Sequence, residues 1–129
     1  MPVELKMLGW SVCLGLGYVL IAAGLATRER GLLWNAGNRD GQQKPLTGAA
    51  ARAGRASRNF LETFPFFAAA VLALSVQKLN TPHTALGAEL YFWARAAYLP
   101  IYIAGVPYIR TLVWAVSLWG LLQVLEGWL

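Results

Sequence analysis

The sequence predicts an all-α integral membrane protein, a four-helix bundle, and three observations predict it. Of its 129 residues, 57% are hydrophobic and only 13% charged, about half the ~25% charged content of an ordinary soluble domain. Mean hydropathy is +0.48. The few charges are gathered into short stretches that separate long apolar ones. Such a composition excludes a disordered chain, which would be polar and poor in aromatics. A single cysteine, Cys13, excludes a scaffold stapled by internal disulfides. The formal charge of +5 and pI near 9.8 fit either a nucleic-acid binder or a membrane protein with basic loops, and the position of the charges decides between them.

The first span is read at residues 7–27. No charge falls between Lys6 and Arg28, which is enough helix to cross a hydrocarbon core of about 30 Å. A cleaved signal would carry an apolar stretch of only ~7–15 residues, and Glu4 offsets Lys6 at the start. The segment is therefore expected to be a retained transmembrane helix. A polar connection, 28–50, follows; Asn35, Gly37, Asn38, Asp40, Gly41 and Pro45 give it turn chemistry. The second span is read at 51–79. Its uncharged part, 63–77, is too short to cross at ~1.5 Å per residue, so the helix must begin upstream among Arg52, Arg55, Arg58 and Glu62. Asn80-Thr81-Pro82 makes a turn, and Pro82 suits a helix start. The third span, 84–105, contains Glu89 and Arg95, and Val106-Pro107 separates it from the fourth, 108–127. No repeat or linker divides the chain, so one domain, 1–129, is expected.

Lys and Arg in the short connections set the orientation. Arg28, Arg30, Arg39, Lys44, Arg52, Arg55 and Arg58 lie in or beside the first connection, against Lys6 and Lys78 on the other side. The 28–50 loop is expected in the cytoplasm and both termini outside, in a multi-pass protein of the plasma (inner) membrane. The basic pI then needs no nucleic-acid partner.

Ionisable groups within membrane helices are costly and usually turn inwards. At ~100° per residue, Arg52, Arg55, Arg58, Asn59 and Glu62 fall within about 120° of one another. The i,i+4 spacing lets Glu62 pair with Arg58 while other arginines stay free. Tyr91, Arg95, Tyr98 and Tyr102 form a stripe on the third helix, and Arg110 with Thr111 opens the fourth. Arginine keeps its charge and grips carboxylates with a planar fork. A pocket of arginines, an amide, a carboxylate and phenols suits a small, multiply charged anion. Other residues read as structural. Arg28, Arg30, Arg39 and Lys44 are expected to anchor to headgroups, while Tyr18, Tyr91 and Tyr108 read as interfacial belt residues. His83 reads as a loop residue and Cys13 as a packing residue. No metal-ligand spacing, nucleophile–base pair or phosphate loop is present.

The stretch Arg52-Ala-Gly-Arg55-Ala-Ser-Arg58-Asn59-Phe-Leu-Glu62-Thr-Phe-Pro65 resembles the second-helix signature of the MAPEG family, the membrane-associated proteins in eicosanoid and glutathione metabolism. Arg95-Ala-Ala-Tyr98-Leu-Pro-Ile-Tyr102 and Arg110-Thr111 resemble its third- and fourth-helix motifs. Gly37-Asn38-Arg39-Asp40 and Leu46-Thr47-Gly48 resemble the first loop of bacterial members. The resemblance implies a homotrimer binding glutathione, as co-substrate, between neighbouring subunits near the cytoplasmic side. Carried over by position, Arg55, Arg58, Asn59, Glu62, Tyr98, Tyr102 and Arg110 would line that site, with Arg110 facing the sulfur and Thr111 beside it; Arg95 joins them through the stripe it shares with the tyrosines. Tyr98 stands where the prostaglandin-synthase branch has a histidine and Trp114 where it has a tyrosine, so no prostaglandin-specific activity is implied.

The chemistry expected is that of a microsomal-type glutathione S-transferase or peroxidase. A thiolate, stabilised by a nearby cation, adds to a small lipophilic electrophile arriving from the bilayer, or reduces a hydroperoxide. Two other classes compete. One is a non-catalytic member of the same fold binding another anionic thiol or a lipid. The other is a small transporter, which would need a coupling carboxylate at mid-membrane; Glu62 and Glu89 lie near opposite ends of their helices instead.

Overall fold

The computed structural model of the chain describes residues 1–41 and 44–129; positions 42–43, inside the expected 28–50 connection, lie outside the described residues. Four long helices and one short one are present: α1 Val3–Arg30, α2 Leu32–Ala36, α3 Gly48–Val76, α4 Pro82–Ala104 and α5 Pro107–Trp128. No strand occurs among the described residues. The helices overrun the expected spans at most ends. The basic connection is correspondingly shorter, because α1 runs on to Arg30 and α2 occupies part of the remainder.

Local chemistry sets the ends. Lys78, at φ 57°, takes the left-handed position after α3, and the Leu79 amide donates back to the Leu74 carbonyl at 3.1 Å. Thr81 caps α4 reciprocally with Thr84: the Thr84 amide donates to Thr81 Oγ1 and the Thr81 amide to Thr84 Oγ1 at 2.9 Å, with Pro82 in the first turn. Gly105, at φ 82°, ends α4 in the left-handed region and permits the immediate reversal into α5.

Contacts run antiparallel between sequential long helices and parallel between α1 and α4. Glu4 meets Thr84 and Tyr18 meets Arg95, both pairs rising in register. The α4–α5 contact is the most extensive, and α1 and α5 do not meet among the described residues, so α3 and α4 form the middle of the bundle. Glycines bring α4 and α5 together: a Cβ on Gly87 would stand 2.6 Å from the Gly120 carbonyl oxygen, and one on Gly120 would collide with the Gly87 carbonyl. Two buried clusters fill the interior. One, around Phe67, Val71, Leu74, Tyr91 and Val124, lies towards the termini. The other, around Tyr18, Ala56, Phe60, Tyr98 and Tyr102, lies towards the basic connection.

Three helices, α1, α3 and α5, are long and apolar enough to cross a membrane. α4, at 23 residues, is one residue longer than α5 but carries Glu89, Arg95 and three tyrosines. Its polar stripe turns inwards: Tyr91, Arg95, Tyr98 and Tyr102 are all buried, which leaves Leu86 and Trp93 exposed on its outer surface.

Candidate functional site

The polar residues gather in two layers towards the basic connection. The outer layer centres on Tyr102 of α4. Arg55 Nε, from α3, donates to the Tyr102 hydroxyl at 3.2 Å, with its guanidinium 5.9 Å from the ring centroid. From α5, the Arg110 guanidinium stands 4.5 Å from the same centroid. Tyr98, one turn back, packs edge-on against Tyr102 at 5.5 Å. A phenol ring held by two guanidiniums from different helices fixes the spacing of two positive charges, since each cation is attracted to the ring face. Arg58 lies one turn beyond Arg55 and is exposed. It lines a cleft of about 240 Å³ with Arg30, Leu46, Ala51, Gly54 and Arg55.

Among the described residues no carboxylate lies within ion-pair distance of Arg55, Arg58 or Arg110. The i,i+4 pairing of Arg58 with Glu62 does not form: both side chains are exposed, and an exposed pair gains too little to hold two long side chains in one geometry. Glu62 therefore has no ion-pair partner among the described residues.

The inner layer centres on Arg95, which is wholly buried. Its Nη1 donates to Asn59 Oδ1 at 2.7 Å and its Nη2 to Thr63 Oγ1 at 2.8 Å. The guanidinium also stands 5.0 Å from the Tyr98 centroid and 5.9 Å from those of Phe60 and Tyr91. Hydrogen bonds and ring faces replace much of the hydration this buried charge gives up, although its Nε has no hydrogen-bond partner among the described residues. Tyr91 and Thr63 hydroxyls meet at 3.1 Å, and the Tyr18 hydroxyl donates to the Arg95 carbonyl at 2.6 Å.

The sequence expectations thus divide. Arg55, Tyr98, Tyr102 and Arg110 come together, with Arg58, Asn59 and Glu62 on the adjoining face of α3. Arg95, expected among them, lies one layer deeper. Thr111 is exposed and leans its hydroxyl on the Pro107 carbonyl at 3.5 Å, outside the cluster. Arg52, on the same face of α3, serves structure: its Nε donates to the Ile103 carbonyl at 2.8 Å, satisfying a carbonyl at the end of α4.

Tyr18 and Tyr91 are corrected from belt residues to buried members of the inner layer, while Tyr108 is 84% exposed, as a belt residue would be. Cys13 is exposed rather than packed. His83 finds Glu126 of α5 at 2.8 Å. Sequence reasoning leaves Thr63 out of the polar network and sets Tyr91, which it places on the stripe with Arg95, apart as a belt residue. The available signal is position: each stands four residues from a member that it does identify, Asn59 and Arg95.

Compared with known proteins, residues 7–125 match the model of the MAPEG family. No curated protein and no solved structure matches the chain.

Proposed function

The chain belongs to the MAPEG family, and from that premise we propose that it is a glutathione-dependent membrane transferase or peroxidase. Its match with the family and its three long apolar helices make it an integral membrane protein. α4 would be the fourth crossing, because 23 residues span about 34 Å and its polar stripe is hidden inside the bundle. The 28–50 connection would face the cytoplasm, with both termini outside the plasma (inner) membrane, by the lysine and arginine asymmetry. Three subunits would assemble with glutathione between them, so that the exposed Arg58 and Glu62 face a neighbour.

One observation carries the functional reading: Arg55, Arg58 and Arg110 gather at one end of the bundle without a carboxylate partner among the described residues, beside the unpaired Glu62. Three cations and one anion complement a peptide with two carboxylates and an ammonium, and the family's association with glutathione points to that peptide. Arg55 and Arg58 would take the carboxylates and Glu62 the ammonium, while Tyr98, Tyr102 and Asn59 complete the wall. Arg110, braced on Tyr102, would stabilise the thiolate after the thiol proton leaves to water, since an arginine keeps its own proton. The sulfur lone pair then attacks the electrophilic carbon, forming a C–S bond as the leaving group departs with its electrons. With a hydroperoxide, sulfur attacks the terminal oxygen and breaks the O–O bond, giving a sulfenic acid and an alkoxide that takes a proton from water to leave as the alcohol; the thiol of a second glutathione then attacks the sulfenic sulfur, forming the disulfide and releasing water. Thr111, next to Arg110 and exposed, is available to a ligand held by a neighbouring subunit.

The test is calorimetric titration of the detergent-solubilised protein with glutathione, followed by conjugation assays with a lipophilic electrophile. Binding with turnover supports the enzyme; binding without turnover favours a non-catalytic member of the family; no binding refutes the reading.

A further inference from the structure

Asn59 stands between the two layers, and the structure fixes which way its amide points. A guanidinium has only donors, so the atom 2.7 Å from Arg95 Nη1 must be the carbonyl oxygen of the amide. The amide nitrogen is thereby turned away from the bundle interior. It makes no hydrogen bond to the described residues, and it is not among the buried polar atoms left without a partner, so it reaches accessible surface. On α3, Asn59 stands four residues from Arg55 and three from Glu62, on the helix face that also carries Arg58.

We infer that Arg95 is a positioning residue. It does not touch the ligand but locks Asn59 so that the amide presents two N–H donors, and no acceptor, to the anion held by Arg55 and Arg58. Burial keeps Arg95 from the ligand: it is 0% exposed, its Nη1 and Nη2 bond Asn59 and Thr63, and its Nε is buried without a hydrogen-bond partner among the described residues. Three aromatic rings hold the guanidinium plane in place, so the donor direction is rigid. The consequence is selectivity. An amide free to rotate could offer its oxygen to an ammonium or hydroxyl as readily as its nitrogen to a carboxylate. Locked, it discriminates for an acceptor at that position. The inference rests on the anion-binding reading of the outer layer, and it needs an anion there but not glutathione in particular.

Three variants of the full-length protein in detergent test it: Asn59→Asp, Arg95→Lys and Arg95→Gln. Each is titrated with glutathione and, separately, with sulfate, and its thermal midpoint is recorded without ligand. Asn59→Asp keeps an acceptor for Arg95 and replaces the outward donor with a carboxylate oxygen. Its unliganded midpoint should equal or exceed that of wild type, while affinity for both anions falls roughly 10- to 100-fold, the scale of losing a hydrogen bond to a charged group. Arg95→Lys, still a donor only, should bind both anions within about threefold of wild type. Arg95→Gln offers Asn59 an acceptor as well, frees the amide to turn, and should lose about tenfold, with KM rising and kcat held if turnover is measurable. If Arg95→Gln does not assemble, Asn59→Asp and Arg95→Lys decide. Wild-type affinity in Asn59→Asp for both anions overturns the inference, as does wild-type affinity in Arg95→Gln or failure of the wild type to bind either anion. If the wild type binds sulfate but not glutathione and Asn59→Asp loses sulfate, the glutathione reading fails while the locked amide stands.

Discussion

Gly120→Ala adds one methyl group where α5 crosses α4. The new Cβ would meet the Gly87 carbonyl oxygen, the Tyr91 amide nitrogen at 2.8 Å and Leu90 Cβ at 3.0 Å. Two of the three are backbone atoms, so no side chain can rotate aside. Ordinary van der Waals contact begins at 3.4 Å, so relieving the closest of the three, the Gly87 carbonyl, requires the helices to part there by about 1 Å. Over-packing of this kind costs about 1–3 kcal/mol, against which the better helix propensity of alanine returns about 1 kcal/mol. At Gly24 a Cβ meets nothing within 4 Å, so Gly24→Ala keeps the propensity gain without the clash.

The two substitutions should therefore differ in sign. Gly24→Ala is expected to stabilise by up to about 1 kcal/mol and Gly120→Ala to destabilise by up to about 2 kcal/mol, read from unfolding in mixed micelles followed by circular dichroism. Function should behave differently. With α5 pivoting at its reversal from α4, Arg110 lies about 5 Å from the pivot and Gly120 about 20 Å, at ~1.5 Å per residue. An opening of about 1 Å at Gly120 then moves Arg110 by only about 0.25 Å, and the kinetic constants for glutathione should stay within about twofold. Equal stability in the two variants would refute the close α4–α5 contact. A large kinetic loss in Gly120→Ala would refute the separation of that contact from the cluster.

Arg110→Ala should lower kcat by roughly 10²-fold, the scale of removing one group that stabilises developing charge; Arg58→Ala should instead raise the KM for glutathione with a smaller change in kcat, as steady-state kinetics will show. Thr84→Val removes both the reciprocal cap of α4 and the 2.6 Å donor to Glu4, a carboxylate only 2% exposed. It should cost about 2–4 kcal/mol, and Glu4→Gln in the same background should recover part of it; both are read from the same unfolding transition. For topology, Asn38→Cys in a Cys13→Ser background should resist impermeant thiol reagents in intact cells and react in permeabilised ones; labelling in intact cells would place the basic connection outside.

Much of this architecture is legible because membrane helices announce themselves by uncharged length. The run between Lys6 and Arg28 marks α1 almost by itself, and requiring enough length to cross places the start of α3 within three residues. Periodicity also puts Arg55, Asn59 and Glu62 on one face and Tyr91, Arg95, Tyr98 and Tyr102 on another. It cannot give depth. Tyr91 and Tyr102 share a stripe, yet one bonds Thr63 in the interior and the other carries two arginines. Spacing equally permits an ion pair between Arg58 and Glu62 without requiring one, and solvation of two exposed side chains prevails. The role of Arg52 depends on where α4 ends beside α3, and the Gly87–Gly120 contact on which faces of two helices meet. Both are tertiary facts that no single segment contains.

The most direct measurement is the ultraviolet absorbance of the glutathione thiolate, titrated with pH, in the wild type and in Arg110→Ala. A cation beside the sulfur favours its ionised form. Saturating the wild type with glutathione should therefore produce thiolate absorbance at a pH where free glutathione remains protonated, in proportion to occupied sites. In Arg110→Ala the apparent thiol pKa should rise towards that of the free peptide while binding persists through Arg55 and Arg58. A bound thiol with the same pKa in both proteins, or wild-type protein that shows no thiolate at any glutathione concentration, would contradict the assignment of this cluster to glutathione activation.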